Sequence, residues 1–491
     1  MRGTGMRMNR FISAAEWLTD KYILLMLLVF PLFVGFDGYV NITLSKYVFF
    51  TAATAVWLCG TAVLTILARR RPAMCAWKWA ALGFAVWAAL SAFRSPYFPE
   101  TLIGASRYDG LLTILLYVGI LFGVAAYGKM SRRYVWALLL SSSICCAVAL
   151  LQLCGVPILY PHDYTYYDGG VKYVGKFLGT IGNTNLLASF LCMSAGLLAA
   201  WYAADEKRRD IMAASAAFAV SIIVGSLSRG GMLALIVSVT MALLLFSADC
   251  TPMLLRSLSA LTLGAAVAGF FVLPPGITFV ITVAIWLLMF LSGVFERHIP
   301  REQHRGTVVV TLVVTGLGVL LVVYFWPLRS GTIYEISRVL HGDIRGEFGS
   351  SRIQIWQACL ELVKDSPIWG GGPGTLALRL DLEFSRYFEE LGRMMTSRTD
   401  NAHNVYLGYL VDIGLPGLLF YLTLIAVSLA RIIKSRSWQV RAVGCALAAA
   451  WTEGMFGLGL CLTAPVMWVL WGLMFSMDAK AVDLPWTEKN S

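Results

Sequence analysis

Fourteen apolar runs, most of them long enough to cross a bilayer as a helix, constrain this chain more than any other feature. About 18–20 apolar residues span the hydrocarbon core. The runs fall at 22–38, 46–68, 75–93, 111–127, 134–156, 183–203, 211–227, 231–247, 255–273, 277–295, 307–327, 404–430, 439–459 and 462–477. Pro274, Pro275 and Gly276 split two of them with a tight turn. Hydrophobic residues make up 58% of the chain and charged ones 14%, where a soluble domain has about 25% charged. A soluble enzyme, a disordered chain and a disulfide-rich secreted scaffold are excluded. The predicted fold class is all-α: a polytopic membrane protein of about 14 transmembrane helices.

Charge orients these spans. With the N-terminus inside, twenty-two Lys and Arg fall in the inner segments and six, among them Lys46, Arg94, Arg107 and Arg229, in the short outer ones. That bias satisfies the positive-inside rule with both termini cytoplasmic. It also accounts for the net charge of +11 without any nucleic acid. The expected organisation is a cytoplasmic tail at 1–21, helices 1–11 over 22–327, and a large extracytoplasmic loop at 328–403. Helices 12–14 over 404–477 and a cytoplasmic tail at 478–491 follow. The N-terminal MRGTGMRMNR lacks a short apolar run with a cleavage site and reads as a tail, not a signal peptide. Most of the ten cysteines lie in apolar runs, where they act as small hydrophobes. The long loop reads as folded. Ser350 and Ser351 are N-cap candidates for a helix carrying Ile353, Trp356, Leu360 and Val363, and a second short helix is predicted over 381–395.

Ionisable groups at membrane depth or at its outer edge suggest function. Ser228–Arg229–Gly230–Gly231 sits in a very tight turn, where an Arg and glycine N–H groups can hold an anion. The bland alternative is an Arg reaching for lipid headgroups. Gly349–Ser350–Ser351–Arg352 opens the loop helix, and a helix N-terminus with an Arg fork favours phosphate. Asp400–Asn401–Ala402–His403–Asn404 adjoins the twelfth span. Asp400 or Asn401 would cap that helix and place His403 in its first turn, as a neutral imidazole able to take a proton. Asp412 lies deeper in the same span beside Gly414, Pro416 and Gly417, and a structural role for it is favoured, as for Glu453. His162, His298, His304 and His341 are less well placed. The glycine cluster Gly370–Gly374 lacks the Lys-Ser/Thr of a P-loop, and the histidines are too scattered for a metal site.

With these residues in hand, the sequence resembles the bacterial O-antigen ligase and polymerase superfamily. The matching stretches are Ser106–Arg107–Tyr108–Asp109–Gly110–Leu111, Gly179–Thr180–Ile181–Gly182–Asn183–Thr184–Asn185 and Leu227–Ser228–Arg229–Gly230. Further on come Ser351–Arg352 with Trp356, Pro367–Ile368–Trp369–Gly370–Gly371–Gly372–Pro373–Gly374, and Ala402–His403–Asn404 with Gly414–Leu415–Pro416–Gly417. The resemblance implies a GT-C-related fold and a membrane glycosyltransferase. Such an enzyme takes a glycan from undecaprenyl diphosphate on the outer face of the cytoplasmic membrane and passes it to an acceptor hydroxyl, without metal or other cofactor. By motif, Arg229 and Arg352 would bind the diphosphate and His403 would be the catalytic base. Arg107, Asn183, Asn185, Asp400, Asn401 and Asn404 would bind substrate or support the site. The implied partners are the lipid-linked glycan, the bilayer, and an acceptor that is a glycan, glycolipid or protein. Fourteen spans exceed the dozen usual in the ligases. Polymerases and protein O-oligosaccharyltransferases share these motifs, and a lipid-linked oligosaccharide flippase is the rival from another class.

Overall fold

The computed structural model describes residues 2–35, 38–39, 41–70, 73–156, 158–159, 165–166, 171–172, 178–205, 207, 210–248, 250–273, 275–325, 332–349, 351–388 and 393–477. The expected tail at 478–491, the loop start at 328–331, Pro274, Ser350 and His162 lie outside them. In chain order the helices begin with α1 (Arg2–Leu24), which runs through a π turn at Leu25–Val29 into α2 (Phe30–Leu32). Then come α3 (Ile42–Leu67), α4 (Ala76–Arg94), the short α5 (Phe98–Ile103), α6 (Leu111–Tyr127) and α7 (Arg132–Leu153). Next are α8 (Thr184–Ala204), α9 (Asp210–Gly225), α10 (Arg229–Phe246), α11 (Thr251–Val272), α12 (Pro275–Arg297) and α13 (Arg301–Phe325). The loop contributes α14 (Thr332–Leu340), α15 (Arg352–Asp365) and α16 (Leu376–Arg379), before α17 (Val405–Lys434), α18 (Trp438–Glu453) and α19 (Ala464–Ser476). Every predicted apolar run coincides with a helix. Among the described residues nine helices, α3, α4, α7, α8, α10, α11, α12, α13 and α17, are long and apolar enough to cross a membrane.

Three expectations need correction. The first helix starts at Arg2, so the stretch expected as a tail is helical, and its Ala15 and Thr19 are buried. The predicted helix over 381–395 is instead an antiparallel hairpin, β3 (Glu383–Phe388) on β4 (Arg393–Arg398). Phe384, Tyr387, Phe388 and Thr396 favour strands, and Ser385 and Thr396 bond across the pair at 2.8 Å. With the small pair β1 (Thr165–Tyr166) and β2 (Val171–Lys172), this hairpin supplies the strands found among the described residues, whose other regular elements are helices. Third, Lys46 is no loop residue. It is fully buried in α3, and its ammonium donates to the carbonyls of Phe30 and Pro31 at 3.0 and 3.2 Å. These are carbonyls at the end of α2 that have no helical partner of their own.

Helix α8 is buried along nearly all its length and packs against α9, α10, α11 and α18. In contrast, α12 and α13 leave Phe279, Trp286, Phe290, Val310, Val314 and Leu320 exposed, an apolar surface suited to lipid. Small residues let the spans approach. Gly264 of α11 lies so close to the backbone at Ala217 of α9 that a side chain would not fit. Ion pairs between Lys129 and Glu16, Arg133 and Asp20, and Arg132 and Asp205 gather at one end of the helices. The motif-bearing segments gather at the other end.

Helix α17 is broken at Gly414, whose φ of 70° and ψ of −179° are far from helical. Pro416 has no N–H for the carbonyl of Asp412, four residues back. The glycine cluster supplies what the break removes. Gly371 N–H donates to Val411 O at 3.0 Å, and Gly372 N–H donates to Asp412 O at 2.7 Å. Trp87 and Ser91 of α4 donate to the carbonyls of Ile413 and Asp412, at 3.0 and 3.1 Å. Leu415 N–H donates to Pro367 O at 2.8 Å. The Asp412 carboxylate accepts from Gly374 N–H at 3.0 Å and pairs with Arg379 at 2.7 Å. The structure thus uses Asp412 to dock the loop on α17. Gly414→Ala should cost about 1–3 kcal/mol, because the left-handed backbone disfavours a side chain and the added carbon would meet the Ile368 carbonyl. Thermal melting of the detergent-solubilised variant measures this, and an unchanged midpoint would contradict the account.

Candidate functional site

Asn185, Leu227, Arg229, Arg352, Ile355 and His403 line one cavity of about 290 Å³. Residues from four separate stretches of chain meet there, and each stretch is a helix start. Asn183 caps α8, accepting from Asn185 N–H and Leu186 N–H, which puts Asn185 in the first turn. Ser228 caps α10, so Arg229 is its first residue. Arg352 is the first residue of α15. Asn404 caps α17 by accepting from Tyr406 N–H and Leu407 N–H, both at 3.0 Å. The cap is therefore Asn404 rather than Asp400 or Asn401, and His403 stands just before the helix instead of in its first turn. Four helix N-termini, each carrying partial positive charge, meet around one space.

Side-chain bonds hold these starts together. Ser228 Oγ donates to Asn185 Oδ1 at 3.1 Å, joining α10 to α8. Trp356 Nε1 donates to Ala402 O at 3.0 Å, joining α15 to the residue before His403. Asn401 Oδ1 accepts from His403 N–H at 3.0 Å. Arg107 grips Asp400 through two bonds of 2.7 and 3.0 Å, tying the loop before α6 to the same segment. Leu227, Ser351, His403 and Tyr108 all have φ between 48° and 63°, a left-handed backbone uncommon outside glycine. Such strained positions concentrate at functional sites. Of the apolar face predicted for α15, Ile353, Trp356 and Val363 are partly buried but Leu360 is exposed, and the buried residues are Ile355 and Cys359.

The electrostatics are one-sided. Arg352 is half-buried, and its pKa is lowered by burial first and further by Arg229 nearby, while Glu453 opposes the shift. Two guanidiniums that repel each other in a partly desolvated space suit the cavity to an anion. Burial, then Arg352 and Arg107, push the His403 imidazole down to about 4, against the smaller pull of Asp400. Its ring is neutral at pH 7.

Of the predicted residues, Asn185, Arg229, Arg352 and His403 line the cavity, while Asn183, Asn404, Asn401, Asp400 and Arg107 do not line it and instead cap or tie down the segments that carry the lining residues. Asp400, Asn401 and Asn404 also line a smaller cavity of about 60 Å³ beside it. His304 and His341 bond to the nearby carbonyls of Ile299 and Ser337 and lie in α13 and just after α14. Sequence reading missed Glu335 of α14, which pairs with Arg229 at 3.1 Å. It also missed Arg379, and it underrated Glu453, which is buried and close enough to act on Arg352. Glu335 carried no signal beyond being an acid in a polar loop. Among the described residues no group of three His, Cys, Asp or Glu side chains is placed to hold a metal ion.

Long apolar helices support a multi-pass membrane protein, and a cavity lined by two arginines and a histidine lies at one end of them. Residues 214–422 match the family model described as O-antigen ligase, which supports assigning the chain to that superfamily. The matched stretch contains Arg229, Arg352 and His403. A search of curated proteins finds no match to the chain. The match and the long apolar helices together support a membrane enzyme of the glycan-transfer type.

Proposed function

We propose that this enzyme moves a glycan from undecaprenyl diphosphate to an acceptor hydroxyl on the outer face of the bacterial cytoplasmic membrane. In this reading all fourteen apolar helices cross the membrane in a GT-C-related arrangement. Both termini are cytoplasmic, and the loop 328–403 is outside with the cavity. Arg229 and Arg352 grip the diphosphate, and His403 faces the acceptor hydroxyl. The acceptor oxygen bonds to the anomeric carbon as the bond from that carbon to the phosphate oxygen breaks. The electron pair leaves on the diphosphate, and the hydroxyl proton passes to His403. Attack opposite the leaving group inverts the anomeric centre. The two guanidiniums neutralise the leaving charge without a metal, in a site where fixed donors act more strongly than in water.

One observation supports this reading most. Two arginines and a neutral histidine, distant in the chain, line one cavity fed by four helix N-termini. The test gives purified full-length protein undecaprenyl-diphosphate glycan and a candidate acceptor, then separates products by size. The wild type transfers, and folded Arg229→Ala, Arg352→Ala and His403→Ala do not. Wild-type rates in all three would refute the site. A single adduct identifies a ligase, and a ladder identifies a polymerase.

A further inference from the structure

Arg229 is already engaged by an anion of the protein's own. One oxygen of the Glu335 carboxylate, Oε2, accepts from Arg229 Nη1 at 3.1 Å and from Gly349 N–H at 3.1 Å. A single oxygen held by a guanidinium and a backbone amide is how proteins commonly hold a phosphoryl oxygen. The two arginines of the cavity differ in this respect. Arg352 has the buried, fixed Glu453 near it. Arg229 has Glu335, which is about a quarter exposed and belongs to the loop helix α14. An exposed pair of this kind is worth only about 0.2–1 kcal/mol, so a ligand of higher charge can break it.

We infer that the Glu335 carboxylate is an internal stand-in for the substrate. It occupies the place of one phosphoryl oxygen while the site is empty, and the arriving diphosphate displaces it by side-chain rotation, taking over both the Arg229 fork and the Gly349 N–H. This inference rests on the diphosphate reading above and adds Gly349 and Glu335 to that site. It also gives the carboxylate a task. Glycan transfer leaves the polyprenyl diphosphate behind, still bound by the arginines that helped it leave. A resident carboxylate that returns to Arg229 lowers the net affinity for that product and speeds its release.

Inorganic pyrophosphate serves as the probe, as an inhibitor of transfer by the full-length protein in nanodiscs. Glu335→Gln keeps the shape and removes the charge. It should bind pyrophosphate about twofold to fivefold more tightly, up to about 1 kcal/mol, and become more sensitive to product inhibition. Glu335→Asp retains the charge but withdraws the oxygen by one carbon, so it should shift affinity in the same direction by less. In an Arg229→Ala background the Glu335→Gln effect should vanish, because no fork remains to compete for. Equal pyrophosphate affinity in wild type and Glu335→Gln, with transfer still dependent on Arg229, would overturn the stand-in while leaving the diphosphate site intact. Weaker binding in Glu335→Gln would overturn it too, by making Glu335 a support for Arg229. No pyrophosphate binding in any variant, with transfer indifferent to Arg229, would remove the diphosphate reading itself.

Discussion

Replacing Arg352 with alanine should lower kcat for glycan transfer by about 10²–10³-fold, a loss of about 2.7–4 kcal/mol of transition-state stabilisation. Arg229→Ala should fall in the same range. The two effects should not add, because each guanidinium lowers the cost of the charge that the other faces. The variants should still differ in stability. Arg352 is half-buried with Glu453 close enough to oppose its shift, so its loss leaves a buried carboxylate without its cation. Arg229 is more exposed and its partner Glu335 can turn to water. Arg352→Ala should therefore lower the melting midpoint where Arg229→Ala barely does. Lysine at either position keeps the charge but loses the planar fork and should restore only part of the rate. Single-turnover transfer with saturating donor, alongside melting curves, checks all of this. Full kcat in a folded Arg352→Ala protein would remove the diphosphate grip from the mechanism.

The helices were legible because a bilayer demands long apolar runs, and every run became a helix. The loop was harder, since no single solvent boundary governs it. Helix α15 is readable from the helical spacing of Ile353, Trp356, Leu360 and Val363, although its buried residues are Ile355 and Cys359, yet 381–395 reads as helix where the fold has a hairpin. Strand pairing there depends on partners five to fifteen residues away, which local pattern does not display. His403 and its neighbours were read one step out of register, because Asp400, Asn401 and Asn404 are all competent caps and only the fold selects Asn404. The structural reading of Asp412 could be reasoned from Pro416, whose missing N–H leaves a carbonyl in need of a donor. That the donors would be Gly371 and Gly372, some forty residues earlier, could not. Arg229, Arg352 and His403 stood out one by one as polar groups at the ends of apolar runs. Nothing in their spacing says that they meet, and that expectation came from the resemblance alone. Glu335 and Arg379 escaped because an ion pair across the loop is a fact of tertiary contact.

His403→Ala should reduce transfer by about 10²–10⁴-fold, the usual worth of a positioned general base. The pH profile separates a base from a merely structural histidine. A base acts when unprotonated, so activity is lost as pH falls through the pKa of the ring. Burial and the charges of Arg352 and Arg107 set that value at about 4 in the free protein, below the ordinary 6.5 or so of a solvated imidazole. The acidic limb of kcat/KM, which reports free enzyme, should therefore bend near pH 4. Bound diphosphate brings negative charge and favours the imidazolium, so the limb of kcat should lie higher than that of kcat/KM. Arg107→Gln supplies the decisive comparison. Arg107 does not line the cavity, but it holds the ring's pKa down, and its removal also leaves Asp400 free to pull that pKa up. Both changes have the same sign, so the kcat/KM limb must move to higher pH while the plateau at alkaline pH falls far less than in His403→Ala. A limb near 6.5 in the wild type, or one that stays put in Arg107→Gln, would mean that the proton of the acceptor goes elsewhere.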